Sequence, residues 1–318
     1  MAMWRDGSDR RRIYPHALSA ALAAFDTPRN SPGTTLASVS TAFNLNSRLL
    51  PIPPDIVLIT LDGVLFYVHT KKLLRSSSNR FNGLLSPKRE ALLHPEALLS
   101  VDEHSSVMNI VLHSVYNLSC AHYNHPLETL CAAVDAMSKF GISPQEHVVP
   151  TKPLFALILN QAPLQPILAY STAASHDIAE LAVAVSSHTL SIDLQTITYE
   201  IAAKMGPVYL RRLFFLHLGR LEALKTLLIS PPPLHPCTST CDFGDQKRLT
   251  RAWTLASAHL AWEARPDLSV SAIQTVLCPL ADHLPCEMCK ENLAERVKQL
   301  VVQWSMVKVR LVARVASL

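Results

Sequence analysis

The sequence predicts an α+β amino-terminal domain, built of short strands with a helical cluster, followed by an all-α helical region. Three observations carry that reading. Residues 55–68, DIVLITLDGVLFYV, place apolar, largely β-branched and aromatic residues on both sides of an Asp-Gly pair, the pattern of a hairpin. From about residue 70 the apolar period changes from 2 to 3.6. Beyond about residue 150 almost every apolar segment keeps the helical period, and the breaks between segments fall at prolines.

With 318 residues, 49% hydrophobic and 17% charged, the chain can bury a sizeable core and is not globally disordered. Its 22 Pro against 8 Gly favour short, proline-punctuated segments over a glycine-rich barrel or phosphate loop. No apolar run reaches the roughly 20 residues of a membrane helix without meeting a charge or a proline, so a soluble protein is expected. The net charge of +4 is uneven: residues 1–50 carry six Arg against three Asp, a net +3, which leaves +1 for the rest. The folded part therefore lacks the basic footprint of a nucleic-acid binder. Seven Cys without a secretory signal peptide predict free thiols in a reducing, intracellular compartment, nuclear or cytoplasmic. The Asn117-Leu118-Ser119 sequon carries no weight there.

Three segments follow from composition and pattern. Residues 1–50 contain RDGSDRRR and then NSPGTTLASVSTAFNLNSR, which lacks any period that could bury a face. They read as a disordered basic, Ser-rich tail with a short helix near HALSAALAA. The Arg cluster at 10–12 is compatible with a nuclear import signal or a transit peptide, but a solvated tail explains it more simply. Residues 51–148 form the strand-containing domain and 149–318 the helical region.

Within the domain, strand 55–60 leads to Asp62-Gly63, expected as a type I′ turn with φ > 0 at both residues. The return strand is 64–68. Leu73, Leu74, Phe81, Leu84 and Leu85 suit two short helices broken near Ser76–Ser78. EALLSVD at 96–102 reads as another strand. Helix 105–118 gathers Val107, Ile110, Val111, Val115 and Leu118 on one face, and helix 125–143 finds its stop at Gly141. Further helices are expected over 152–160, 176–190, 193–205, 207–229, 245–264 and 292–312, with 230–245 as a long irregular loop. In the last helix Leu293, Val297, Leu300, Trp304, Val307 and Leu311 form a seam too short for a coiled coil, which predicts packing against the preceding helices.

No G-x-S-x-G elbow, Walker loop, G-x-G-x-x-G or H-E-x-x-H is present. Many triads could be assembled from 14 His, 7 Cys and the acids, but no spacing selects one. The sequence therefore assigns no catalytic, cofactor-binding or metal residue. Cys286-x-x-Cys289 has the knuckle spacing of a zinc site, and Cys278, His283, Cys237 or Cys241 could complete it. Cys237 and Cys241 do not form a second such pair, so buried free thiols are the preferred reading, ahead of zinc and of a redox pair. Cys120, His122 and His125 read as ordinary loop residues. His69, with no acid within six residues downstream to orient it, reads as a hydrogen-bonded corner, and Lys71 and Lys72 as a solvated face.

The order of these residues resembles a BTB (POZ) domain. The run from Asp55 to His69, then Leu73, Leu74, Ser77 and Phe81, is similar to that family's opening hairpin and His-x-x-x-Leu helix entry. VMNIVLHSVYN resembles the family's helix ending at a Tyr, here Tyr116, and CAAVDAMSK followed by FGISPQE resembles its closing helix at Lys139-Phe140. Phe81 lies twelve residues after His69, one more than in animal members. FNGLL (81–85), YLRRLFFLHLGR (209–220), QKRLTRAW (246–253) and the Cys-x-x-Cys before a terminal Trp helix resemble BTB proteins of mushroom-forming fungi. The resemblance covers most of residues 51–310, and the downstream helices loosely resemble a BACK-type region. It implies a non-enzymatic interaction module or scaffold that homodimerises through its BTB domain. A substrate adaptor binding the cullin scaffold of a ubiquitin ligase, or a transcriptional regulator, is the narrower implication.

Overall fold

The computed structural model describes residues 38–85 and 98–311, and the proposed Arg cluster and the helix near HALSAALAA lie outside them. Packing divides the described chain into two units. One comprises residues up to Arg75 with Gly83–Ser105; the other comprises Ser76–Asn82 with Ser106 onward. An α+β part followed by helices is what the chain forms. Helices α2 (Ser105–Tyr116) and α3 (Leu127–Lys139) group with the helical region, because α3 packs on α5 (Pro153–Gln161) and α6 (Pro166–Ser175).

The first unit is a four-stranded sheet of order β1-β3-β2-β4. Its centre is the expected hairpin, β2 (Ile56–Ile59) antiparallel to β3 (Val64–Val68), with Leu58 opposite Phe66. The turn is not type I′. Gly63 N–H donates to Thr60 O and only Gly63 has positive φ, so the connection is a three-residue loop with glycine in its left-handed position. Asp62 accepts instead from the backbone N–H and hydroxyl of Ser105, which hold its carboxyl below the usual range although burial works the other way. β4 (Leu98–Ser100) pairs parallel with β2.

Order also begins well before Pro51. β1 (Ser38–Val39) adds parallel to β3, Ser40 N–H reaches Leu65 O, and Phe43 is fully buried with its ring 6.1 Å from that of Phe66. A two-residue strand and one aromatic anchor have no period, which is why composition alone reads this stretch as tail. His69 is buried at the corner and its Nε2–H donates to Ile52 O, 2.9 Å away. Asp55 Oδ1 accepts the N–H of Thr70, the first residue of α1 (Thr70–Ser76).

The second short helix expected around Phe81 does not form. Arg80, Phe81, Asn82 and Gly83 all take positive φ, the opposite hand to an α-helix. Side chains and rings hold this turn. Ser77 Oγ receives Phe81 N–H and donates to Phe140 O, Asn79 Nδ2 donates to Lys139 O, and the Phe81 and Phe140 rings stack at 4.4 Å. Gly141, at φ 68, ends α3 as expected, and a Cβ there would collide with Asn79.

The remaining helices are α4 (Pro144–His147), α7 (Ala179–Ser186), α8 (Tyr199–Ile229), α9 (Phe243–Trp262), α10 (Val270–Leu277) and α11 (Glu287–Met306). The expected pair 193–205 and 207–229 is present as two helical segments, numbered together as α8, which begin at Tyr199 and are separated where Gly206 (φ 71, ψ 164) leaves helical geometry just before Pro207. α6 was not expected. Ala169 through Ala174 are all buried, so it has no polar face to give an amphipathic signal. In α11, Leu293, Val297, Leu300 and Trp304 enter a core with Trp253, Leu224 and Ile273, as the seam predicts, but the helix stops at Met306, short of Val307 and Leu311. No described helix is long and apolar enough to cross a membrane.

Phe43→Ala is expected to lower the unfolding free energy by about 3–5 kcal/mol in urea denaturation, through the cavity it leaves. A change under about 0.5 kcal/mol would mean that residues before Pro51 are dispensable to the sheet.

Candidate functional site

Three side-chain constellations in the helical unit bear on chemistry. The first lies where the loop after α8 meets α11. Ser230 O accepts from Arg296 Nε, Pro233 O from Asn292 Nδ2, and His235 then meets Cys289. The three positions on α11 are separated by four and three residues, so the segment runs back along one face of the helix towards its N-terminus. Pro231–Pro233 suit that path: prolines have no N–H to satisfy and cannot continue α8. Gln246, buried on α9, then fixes His235 from both sides, accepting from its N–H and donating to its carbonyl, each at 2.9 Å.

Cys241 reaches the same point from a tight turn closed by paired hydrogen bonds between Thr238 and Cys241, immediately before the Asp242–Asp245 capping box of α9. Cys286 precedes α11 and Cys289 lies in its first turn. His235 Nε2 is 3.2 Å from Cys289 Sγ, 3.4 Å from Cys286 Sγ and 3.7 Å from Cys241 Sγ, and the Cys241 and Cys289 sulfurs are 3.7 Å apart. All four donor atoms fall within 4.8 Å of one another, and the three cysteines are buried. His235 Nδ1–H donates to Pro236 O at 2.7 Å, which leaves Nε2 as the lone-pair nitrogen facing the sulfurs.

The sulfurs differ electrostatically. Backbone N–H groups of Cys289 and Met288 at the start of α11 favour the Cys286 thiolate and bring its pKa down to about 7. Burial, with the two neighbouring sulfurs, pushes Cys241 up to about 12, and burial raises Cys289 too.

Of the residues the Cys-x-x-Cys spacing put forward, the structure brings together Cys241, Cys286 and Cys289. Cys237 and Cys278 are exposed and stand outside the cluster, as does His283. The fourth member, His235, was not among the sequence candidates; its one signal was a histidine six residues before Cys241 in a loop without helical period. Spacing alone assigns no metal residue; these four side chains could hold a metal. Cys241, Cys286 and Cys289 are buried and free, as the preferred reading of the spacing has them, and Cys120 and Cys131 are buried thiols too, with pKa values raised by burial.

A second constellation links Ser138, His176 and Asp135. His176 Nε2 lies 2.6 Å from Asp135 Oδ1, and the Ser138 hydroxyl 3.0 Å from Nδ1. The connectivity is that of a hydrolytic triad, but Ser138 and Asp135 sit on the exposed face of α3. Backbone N–H groups inside a helix are already bonded to carbonyls one turn back, so α3 itself offers no free backbone donor beside Ser138. Lys204 occupies the other Asp135 oxygen at 3.2 Å. Burial alone would raise the Asp135 pKa, but His176 and Lys204 hold it low, a tie between helices.

The third gathers His113, Tyr123 and His125. His113 Nδ1–H donates to Asn109 O, and its ring is 5.6 Å from that of Tyr123, which stacks on His125. Burial lowers the pKa of His113 and of His125, and His122 adds to this. His217 is lowered by burial as well.

No family model, curated protein or solved structure matches the chain.

Because the folded pKa values of His113, His125 and His217 lie below the unfolded value of about 6.5, the unfolded chain takes up protons that the folded one refuses. Their contribution is intact above that pH and is lost as pH falls through it. Melting temperature is expected to fall between pH 7 and 5.5, less steeply in His113→Asn, which keeps a donor but cannot titrate. A second expectation concerns Arg296→Met, which strands the Leu227 and Ser230 carbonyls and should cost about 1–3 kcal/mol for each one left buried, measured by chemical denaturation.

Proposed function

We propose that the chain is a non-catalytic protein-interaction module or scaffold of the BTB kind, intracellular, pairing with a second copy of itself. The observation that carries this reading is the large apolar side chains left in solvent on α8 and α9. Tyr199, Phe215 and Leu218, with Leu255 and Trp262, are each more than half exposed, Trp262 at 88%. Single exposed apolar residues are ordinary, but a concentration of aromatic and leucine side chains on two helices is what an interaction surface presents.

The hairpin, the buried His69 corner and the Ser77–Phe81–Phe140 arrangement support the family reading, because they fall at the residues that carry the resemblance. The chemistry argues in the same direction. The Ser138–His176–Asp135 chain lacks oxyanion donors on its helix, and the Cys-His cluster has four protein donors facing one another, which leaves no open position for a substrate.

Sedimentation equilibrium of the full chain is expected to give twice the single-chain mass, falling to a monomer only on strong dilution. A strictly monomeric chain at tens of micromolar would count against self-pairing. In affinity capture, recovery of a cullin scaffold narrows the reading to a ligase adaptor, and its absence at micromolar protein removes that branch.

A further inference from the structure

We propose that His235, Cys241, Cys286 and Cys289 bind one Zn²⁺ as a closed Cys₃His centre that staples the loop after α8 to the starts of α9 and α11. The size of the cluster supports this. Zn–S bonds of about 2.3 Å and Zn–N bonds of about 2.0 Å in a tetrahedron put sulfurs about 3.8 Å apart and sulfur about 3.5 Å from nitrogen. The Cys241–Cys289 separation is 3.7 Å, and the three sulfur–nitrogen separations are 3.2, 3.4 and 3.7 Å. A disulfide would require two of these sulfurs at about 2.05 Å, and all seven cysteines are free.

Three more features fit a metal centre better than a chance meeting of thiols. The donors are three soft thiolates and an imidazole, a set that selects zinc over hard cations such as Mg²⁺. The non-coordinating nitrogen of His235 donates to a backbone carbonyl, the usual outer contact of a metal-bound imidazole. The backbone of His235 is held by Gln246 on both sides, which presets the ring before any ion arrives. Binding releases the thiol protons and gives three thiolates, a neutral imidazole and a dication, a complex of charge −1. With four protein ligands the coordination is complete, so the centre is structural, joining segments 48 and 51 residues apart in sequence.

The test is metal content of the full chain, purified without chelator and measured by inductively coupled plasma mass spectrometry. One zinc per chain is expected. The double variant Cys286→Ser/Cys289→Ser should lose it, whereas Cys237→Ser/Cys278→Ser, equally rich in removed thiols, should keep it. Substitution with Co²⁺ should give the visible absorption of a tetrahedral thiolate site, altered in His235→Asn. If the first variant fails to fold, chelator treatment of the wild-type chain followed by addition of zinc or of Mg²⁺ decides: zinc alone should restore the melting temperature. A folded chain without stoichiometric metal, zinc retained by Cys286→Ser/Cys289→Ser, or a Cys241–Cys289 disulfide found by mass spectrometry would overturn the proposal. None of these readouts depends on self-pairing or on a partner.

Discussion

A guanidinium carries five donors and is costly to bury unless oxygens meet them, and the Arg296 side chain on α11 finds two backbone carbonyls. Its partners are Leu227 O and Ser230 O at the end of α8, where carbonyls have no helical N–H to accept from, and its plane lies over Trp253. One buried cation thus satisfies two otherwise orphaned helix-end groups and decides where the chain leaves α8. The direction of the loop, the place of His235 and the convergence of three sulfurs all follow from that departure point. Arg220 does the same at the other end of α11, donating to Val307 O, Lys308 O and Pro266 O over Trp304. Both guanidiniums bond helix and loop carbonyls, so the helical unit is fastened through its ends as well as by its leucine seam.

How much of this was legible depended on whether a signal is periodic. β3 is the segment 64–68 that the alternation indicates, and the face of α11 is the one its apolar spacing gives, because burial on one side imposes period 2 or 3.6 on the residues themselves. The break at Gly206-Pro207 is local chemistry and is visible in two letters. Phe43, α6 and His235 are of another kind. Phe43 is a lone anchor, α6 is buried all round, and His235 is placed by Arg296, Asn292 and Gln246, which lie 11 to 61 residues away. A Cys-x-x-Cys pair announces half of a tetrahedron; the other half is set by tertiary contacts that carry no spacing rule.

The contrast between the Cys-His cluster and the Ser138–His176–Asp135 chain shows why connectivity is a poor guide to chemistry. A serine, a histidine and an aspartate in hydrogen-bonded sequence suggest a nucleophile, but Ser138 lies in the last turn of its helix, where the backbone N–H groups are already bonded and cannot meet an oxyanion. The cysteines and His235 suggest little from their spacing, yet their donor atoms face a common centre. Geometry about a point, more than the identity of the residues, separates the two.

The pairing of β1 with β3 affects how the sheet can be handled. β3 is an interior strand only because Ser38 and Val39 lie along it, and Tyr67 N–H is met by Phe43 O from the same segment. A chain trimmed at Pro51, where the strong sequence pattern starts, would turn β3 into a bare edge of alternating Leu65 and Tyr67 backbone groups with Phe66 uncovered. Edges of that composition recruit strands from other molecules, so such a truncation would favour aggregation over a smaller soluble domain.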